Sequence, residues 1–147
     1  MSKNDLHIAM GSDHAGFSLK EKIKKHLKEK GYEISDYGTD SEQSADYPDY
    51  IHPLAGDVDE GKIGCGIIMC GSGNGVSMTA NKYQGVRAAL CWTPEIARLA
   101  RAHNDANILA IPARFVDENT ALDIVDAYLE TTFEGGRHQG RVKKIRI

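Results

Sequence analysis

The chain has 147 residues, 41% of them hydrophobic and 27% charged, which is the make-up of one domain around one core and leaves no need for a second. Its 18 Lys plus Arg against 21 Asp plus Glu give a formal charge of -3, which supplies no general pull toward nucleic acid or an anionic membrane. Apolar runs such as Cys65 to Cys70 fall far short of the roughly 20 residues that cross a bilayer, no charged-then-apolar leader opens the chain, and a cytoplasmic location is expected.

Short β-rich runs alternate with longer helical patterns, the signature of βαβ units and hence of an α/β domain with a five-stranded parallel sheet. His7 to Gly11 reads as the first strand. Phe17, Leu19, Ile23 and Leu27 then recur at helical spacing up to Gly31, with Ser18 and Glu21 placed as a capping box. Tyr32 to Tyr37 makes a second strand, followed by a polar loop from Gly38 to Asp46 and a helical stretch ending near Gly61. Pro53 interrupts that stretch, so the helix either kinks there or begins there after a turn opened by Pro48.

Gly66 to Cys70 is the most continuous apolar strand, and it runs into Gly71, Ser72, Gly73, Asn74 and Gly75 before Val76 to Lys82 resumes a helical pattern. Arg87 to Cys91 reads as strand four, Thr93 as the cap and Pro94 as the first residue of a helix to His103. Ile108 to Ile111 is strand five, and Asp117 caps a last helix through Leu129. The remainder, Glu134 to Ile147, is a tail with Arg137, Arg141, Lys143, Lys144 and Arg146 against one acid, a reversal of the chain's overall sign that suits an anion.

Ligands of parallel α/β sheets bind outside the carboxyl ends of the strands, where helix N-termini present unpaired N–H groups. That rule selects Ser12 to His14, Cys70 to Gly75, Cys91 to Thr93 and Pro112 to Arg114. The glycine loop is either a tight strand-to-helix turn or a nest of amides for an oxyanion. It is not a Walker loop, since no Lys followed by Ser or Thr closes it, and it departs from G-x-G-x-x-G. Cys70 ends a buried strand near a helix N-terminus, where a thiol becomes available as base or nucleophile, although an inert core cysteine fits the same position. A Cys-x5-Arg phosphatase is excluded because the sixth residue beyond Cys70 is Val76. Three cysteines, with Cys65 and Cys91 lacking such a setting and no Cys-x-x-Cys pair, read as free thiols rather than a disulfide framework or a zinc site. His103, Asn104 and Asp105 form a polar cluster that either caps a helix or contacts a ligand. Asp13 and His14 admit the same two readings, and Arg137 and Arg141 share a face if the tail is helical.

Taken together, GSDHAGF at Gly11 to Phe17, DYPDY at Asp46 to Tyr50, CGSGNG at Cys70 to Gly75, ANK at Ala80 to Lys82, HNDAN at His103 to Asn107 and EGGRH at Glu134 to His138 resemble the type B ribose-5-phosphate isomerases. The likeness spans nearly the whole chain. The wider family includes the galactose-6-phosphate isomerase subunits. The resemblance implies a single Rossmann-like three-layer domain, a homodimer or dimer of dimers with shared active sites, and no metal or organic cofactor. It implies that Cys70 moves a proton between C2 and C1 of the open-chain sugar phosphate while the amides of Gly71 to Gly75 and the Ser72 hydroxyl hold the enediolate. It further implies that His103, assisted by Asp13, opens the furanose ring, that Tyr47 and Asn104 bind hydroxyls, and that His14, Arg137 and Arg141 bind the phosphate, with Arg114 a further candidate. The site of this family lies between subunits, so residues 134–147 are expected to serve a partner's pocket.

Two positions depart from the pattern. Threonine is common in the family where this chain has Ser72, and a second subtype places a glutamate base where this chain has Val76, which cannot take a proton. Cys70 is therefore the base this chain could use. The implied reaction interconverts D-ribose 5-phosphate and D-ribulose 5-phosphate; the same chemistry on allose or galactose 6-phosphate and a non-catalytic sugar-phosphate-binding module are the alternatives.

Overall fold

Strands that read as unbroken apolar runs are strands covered on both faces, and the computed structural model, which describes residues 6–147, puts those runs in the middle of the sheet. Five parallel strands, β1 (His7–Ser12), β2 (Glu33–Asp36), β3 (Cys65–Cys70), β4 (Ala88–Leu90) and β5 (Ile108–Pro112), lie in the order β2-β1-β3-β5-β4. Alternation along the strands sorts the core into two layers. Ile8, Met10, Ile67, Met69, Leu109 and Ile111 pack with α1 (Phe17–Glu29), α4 (Pro94–Asn104) and α5 (Glu118–Glu130). Ala9, Ile68, Cys70, Ile108 and Ala110 pack with α2 (Tyr47–Asp59) and α3 (Asn74–Ala80). Helices on both faces of one sheet make the three-layer α/β domain read from the sequence. No helix among the described residues is long and apolar enough to cross a membrane.

Several local expectations hold to the residue. The Thr93 side chain accepts from Ile96 N–H with Pro94 in the first turn of α4, and the Asp117 side chain accepts from Thr120 N–H at the start of α5. Others need correction. Ser18 and Glu21 form no capping box: a 3-10 turn at His14–Gly16 precedes α1, Asp13 caps that turn, and Gly16 enters the helix with no side-chain cap. The helix over Tyr47–Asp59 neither begins nor stops at Pro53, because Pro48 occupies its first turn and Pro53 lies on the exposed face. There the Asp49 carbonyl that loses its helical donor is open to water. Strand two is shorter than Tyr32 to Tyr37, strand four is reduced to three residues, and α3 starts inside the glycine loop at Asn74 rather than at Val76. The tail, whose helicity the sequence leaves open, forms a helix over Arg137–Lys143, α6.

Lys20 stands in the apolar stripe of α1 beside Leu19 and Ile23, and its side chain is fully buried. Its ammonium reaches both oxygens of Asp36 at 2.8 and 2.7 Å and Glu21 at 3.2 Å, so the end of β2 is pinned to α1. Asp36 also accepts from Lys24 at 2.8 Å and from Gly38 N–H at 2.9 Å. Burial alone would raise the Asp36 pKa, but the Lys20 and Lys24 hydrogen bonds outweigh it and hold the carboxyl below its ordinary range. The stabilisation is therefore present above the unfolded carboxylate pKa and lost as pH falls through the lower folded value.

The turn from β3 to α3 depends on Gly73, which has φ of +76°. A Cβ there would collide with Leu90 Cδ1 and approach the Pro112 backbone nitrogen at 3.1 Å. We expect Gly73→Ala to cost about 2 kcal/mol or more from left-handed strain plus overpacking. Asp36→Asn, which leaves the buried Lys20 ammonium only the longer Glu21 contact, should cost about 3 kcal/mol, whereas Lys20→Met should cost less. Urea unfolding of the three variants checks both expectations.

Candidate active site

Register sets the site. β1 pairs with β3 so that Ser12 lies opposite Met69, and β3 pairs with β5 so that Cys70 lies opposite Pro112. The loops beginning at Asp13, Gly71 and Ala113 therefore emerge side by side from the carboxyl edge of the sheet. The order of strands reverses between β1 and β3, the position where open α/β sheets leave a crevice. Further bonds tie these loops together: Ala113 N–H donates to Cys70 O at 2.9 Å and Arg114 N–H to Gly71 O at 3.0 Å. Thr39 N–H donates to Ser12 O at 2.9 Å, which brings the loop after β2 to the same edge.

Asp13, Ser72, His14, Tyr47, Cys70, Gly71, Gly73, Asn74, Gly75 and Arg114 all gather at this edge. Asp13 is nearly buried, and its Oδ1 accepts from Ala15 N–H at 3.0 Å and Gly16 N–H at 3.1 Å. His14 Nδ1 lies 3.1 Å from Ala45 N and 3.3 Å from Ala45 O, which ties the ring to the loop before α2. The Tyr47 ring covers Gly75, with its hydroxyl 2.8 Å from where a Cβ would stand, and the Arg114 guanidinium lies 3.2 Å from the corresponding point on Gly71. Ser72 Oγ accepts from Asn74 N–H at 3.3 Å, and the first turn of α3 leaves amides without helical acceptors. Cys70 thus closes β3 among main-chain donors. Burial pushes Cys65 up to about 11 and Cys91 up to about 12, so neither supplies a thiolate near neutral pH.

His103, Asn104, Arg137 and Arg141 do not join this group within one chain. They sit where α4 ends and β5 begins, at the amino edge of the sheet, and the six residues of β3 put about 20 Å between the two edges. There the His103 ring stacks on that of His138 with centroids 4.2 Å apart and planes 14° from parallel. Glu134 N–H donates to Ala102 O at 3.0 Å, docking the segment before α6 onto α4. Asp105, in the left-handed region at φ of 48°, ends α4 and takes Arg101 at 3.0 Å and Arg87 at 3.5 Å. Arg114, Arg137 and Arg141 have no carboxylate partner among the described residues, which leaves their charge free for a ligand anion.

Sequence reasoning gave no role to Glu134 and His138, although both lie inside the EGGRH motif, at its two ends. Ser12, at a strand end that the sequence does select, has its hydroxyl buried without a hydrogen-bond partner among the described residues. Chain order alone does not reveal a buried orphan.

Residues 8–145 match the family model described as Ribose/Galactose Isomerase. Ribose-5-phosphate isomerase B of Escherichia coli strain K12 is 49% identical over 138 residues, 94% of this chain and 93% of that one. Among solved structures, a ribose 5-phosphate isomerase of Thermotoga maritima superposes with a TM-score of 0.94 at 50% identity, covering 97% of this chain and 98% of that one. Ribose-5-phosphate isomerase B of Mycoplasma genitalium, solved with bound ribulose-5-phosphate, does so with a TM-score of 0.92 at 43% identity over 96% of this chain and 94% of that one. By this full-length agreement in sequence and in fold, the chain belongs to the ribose/galactose isomerase family.

Proposed function

We propose that this chain interconverts D-ribose 5-phosphate and D-ribulose 5-phosphate. What supports the reading is Cys70 at a strand end, flanked by the amides of a glycine loop, in a chain related over nearly its full length to ribose-5-phosphate isomerases. A base beside a carbonyl carbon and a donor array for the oxyanion are the two things an aldose–ketose proton transfer requires.

The Cys70 thiolate takes the proton from C2 of the open-chain aldose, and the electron pair moves into an enediolate whose oxygen is held by amides of Gly71 to Gly75 and the Ser72 hydroxyl. The thiol then returns the proton to C1, and transfer of the hydroxyl proton leaves the ketone at C2. No atom is gained or lost. His103, assisted by Asp13, opens the ring beforehand. Tyr47 and Asn104 hold hydroxyls, and His14, Arg137 and Arg141 hold the phosphate, with Arg114 beside the loop.

The two groups of residues lie at opposite edges of one sheet, so the proposal requires two chains per site. Each chain offers Cys70, Asp13 and His14 at its carboxyl edge, and His103, Asn104, Arg137 and Arg141 at its amino edge to a second copy. Residues 134–147 then serve a partner's pocket within a homodimer or dimer of dimers. Exposed Met78, Trp92 and Phe115 lie on α3 or on loops of the carboxyl edge, apolar surface that a second copy would cover.

Cys70→Ala should lower kcat by roughly 100- to 10,000-fold while sugar-phosphate binding persists, and near-normal turnover would remove the thiol from the chemistry. Cys70→Ala and His103→Ala chains, each inactive alone, should regain activity when unfolded together and refolded as a mixture, because one site of each mixed dimer is intact. Absence of recovery, with mixed dimers demonstrated, would sink the shared site. Catalytic efficiency should favour the five-carbon substrate; a tenfold preference for a six-carbon phosphate, roughly 1.4 kcal/mol of discrimination, would reassign the substrate.

A further inference from the structure

At the amino edge, three potential ligand groups converge from separate segments. His103 ends α4, Glu134 lies in the connection after α5, and His138 opens α6. Glu134 Oε1 stands 3.9 Å from His103 Nε2 and 3.7 Å from His138 Nε2, and one donor atom from each residue falls within 4.8 Å of the others. His138 is 7% exposed, and its Nε2 has no hydrogen-bond partner. An orphaned buried nitrogen aimed at a carboxylate beyond hydrogen-bond range calls for a third body between them.

We propose that His103, Glu134 and His138 form a site for one transition-metal dication of the zinc class. Two imidazoles and a carboxylate are a donor set that zinc accepts while keeping a fourth position open. At metal–ligand distances near 2.1 Å, tetrahedral donors stand about 3.4 Å apart, so Glu134 closes its gap to His103 by about 0.5 Å and to His138 by about 0.3 Å. The stack must open, because a bound ion lies in the plane of each coordinating ring. His103 is the ring with room to tilt, being partly exposed at a helix end, and Glu134 is exposed and able to swing inward. Arg137 and Arg141 oppose a dication and weaken its binding. Resting on the reading of His103 as the ring-opening group, the ion occupies the nitrogen that would carry the proton and so inhibits turnover reversibly.

Zinc titrated into the intact protein against a chromophoric chelator should saturate at one ion per chain, and cobalt in its place should give the intense visible absorption of a tetrahedral site. Glu134→Gln, at an exposed position that folding tolerates, and His138→Ala should each weaken binding about tenfold or more. His26→Gln, whose imidazole is already held by Asp126 at 2.9 Å, should not. Absence of saturable binding, or affinity in Glu134→Gln and His138→Ala unchanged from the unsubstituted protein, overturns the site. Isomerase assays on the same samples test the reading beneath it. Inhibition that a chelator reverses and that Glu134→Gln relieves supports both, whereas zinc bound here with turnover unchanged keeps the site and removes His103 from ring opening.

Discussion

Parallel pairing of five strands, with helices over both faces, is the constraint on which everything else in this protein depends. It buries the strand interiors so completely that Ile8, Met10, Ile67, Ile68, Met69, Ile108 and Ile111 leave no surface on which polar chemistry can occur. Function is thereby confined to the two edges. The β1–β3 register then decides which residues meet: a slip of one position would carry Cys70 to the other face, away from α2 and α3 and from the Tyr47 ring over Gly75.

The two edges have complementary incompleteness. The carboxyl edge carries a thiol, a nearly buried aspartate and a loop of amides, but only Arg114 and His14 to meet a dianion. The amino edge carries Arg137 and Arg141, without carboxylate partners among the described residues, and a histidine pair, while its Cys65 thiol is held protonated by burial. Contrast Arg87 and Arg101, which Asp105 occupies at that same edge. Charge neutralised within the fold and charge left open are thus sorted residue by residue, and the open arginines are the ones near the proposed ligand groups.

Much of this was legible in the sequence, and the reasons are local. Thr93 with Pro94, and Asp117, announce helix starts because a side-chain oxygen and a missing amide act within one turn. The glycine loop was visible because Cys70 must leave a buried strand at once. Ser18 and Glu21 misled, since Asp13 satisfies amides of the preceding turn before the helix begins, and Glu21 turns to Lys20 and Lys24 instead. Pro53 was ambiguous because its cost depends on exposure, which no single-residue rule contains. Helix α6 was hidden for a different reason: flanked by Gly135, Gly136 and basic residues, it is held by His138 against His103 and not by its own propensity. That His103 and Cys70 lie at opposite edges follows from topology, and spacing along the chain cannot express it.

Asp105 has a further significance beyond ending a helix. Its carboxylate is gripped by arginines from α4 and from the start of β4, while Arg101 also reaches Ala106 O at 2.7 Å. The corner from which His103 projects, two residues earlier, is cross-braced and has little freedom left. Main-chain freedom at this end of α4 is thus surrendered once, when the chain folds, while the His103 ring keeps its own torsions.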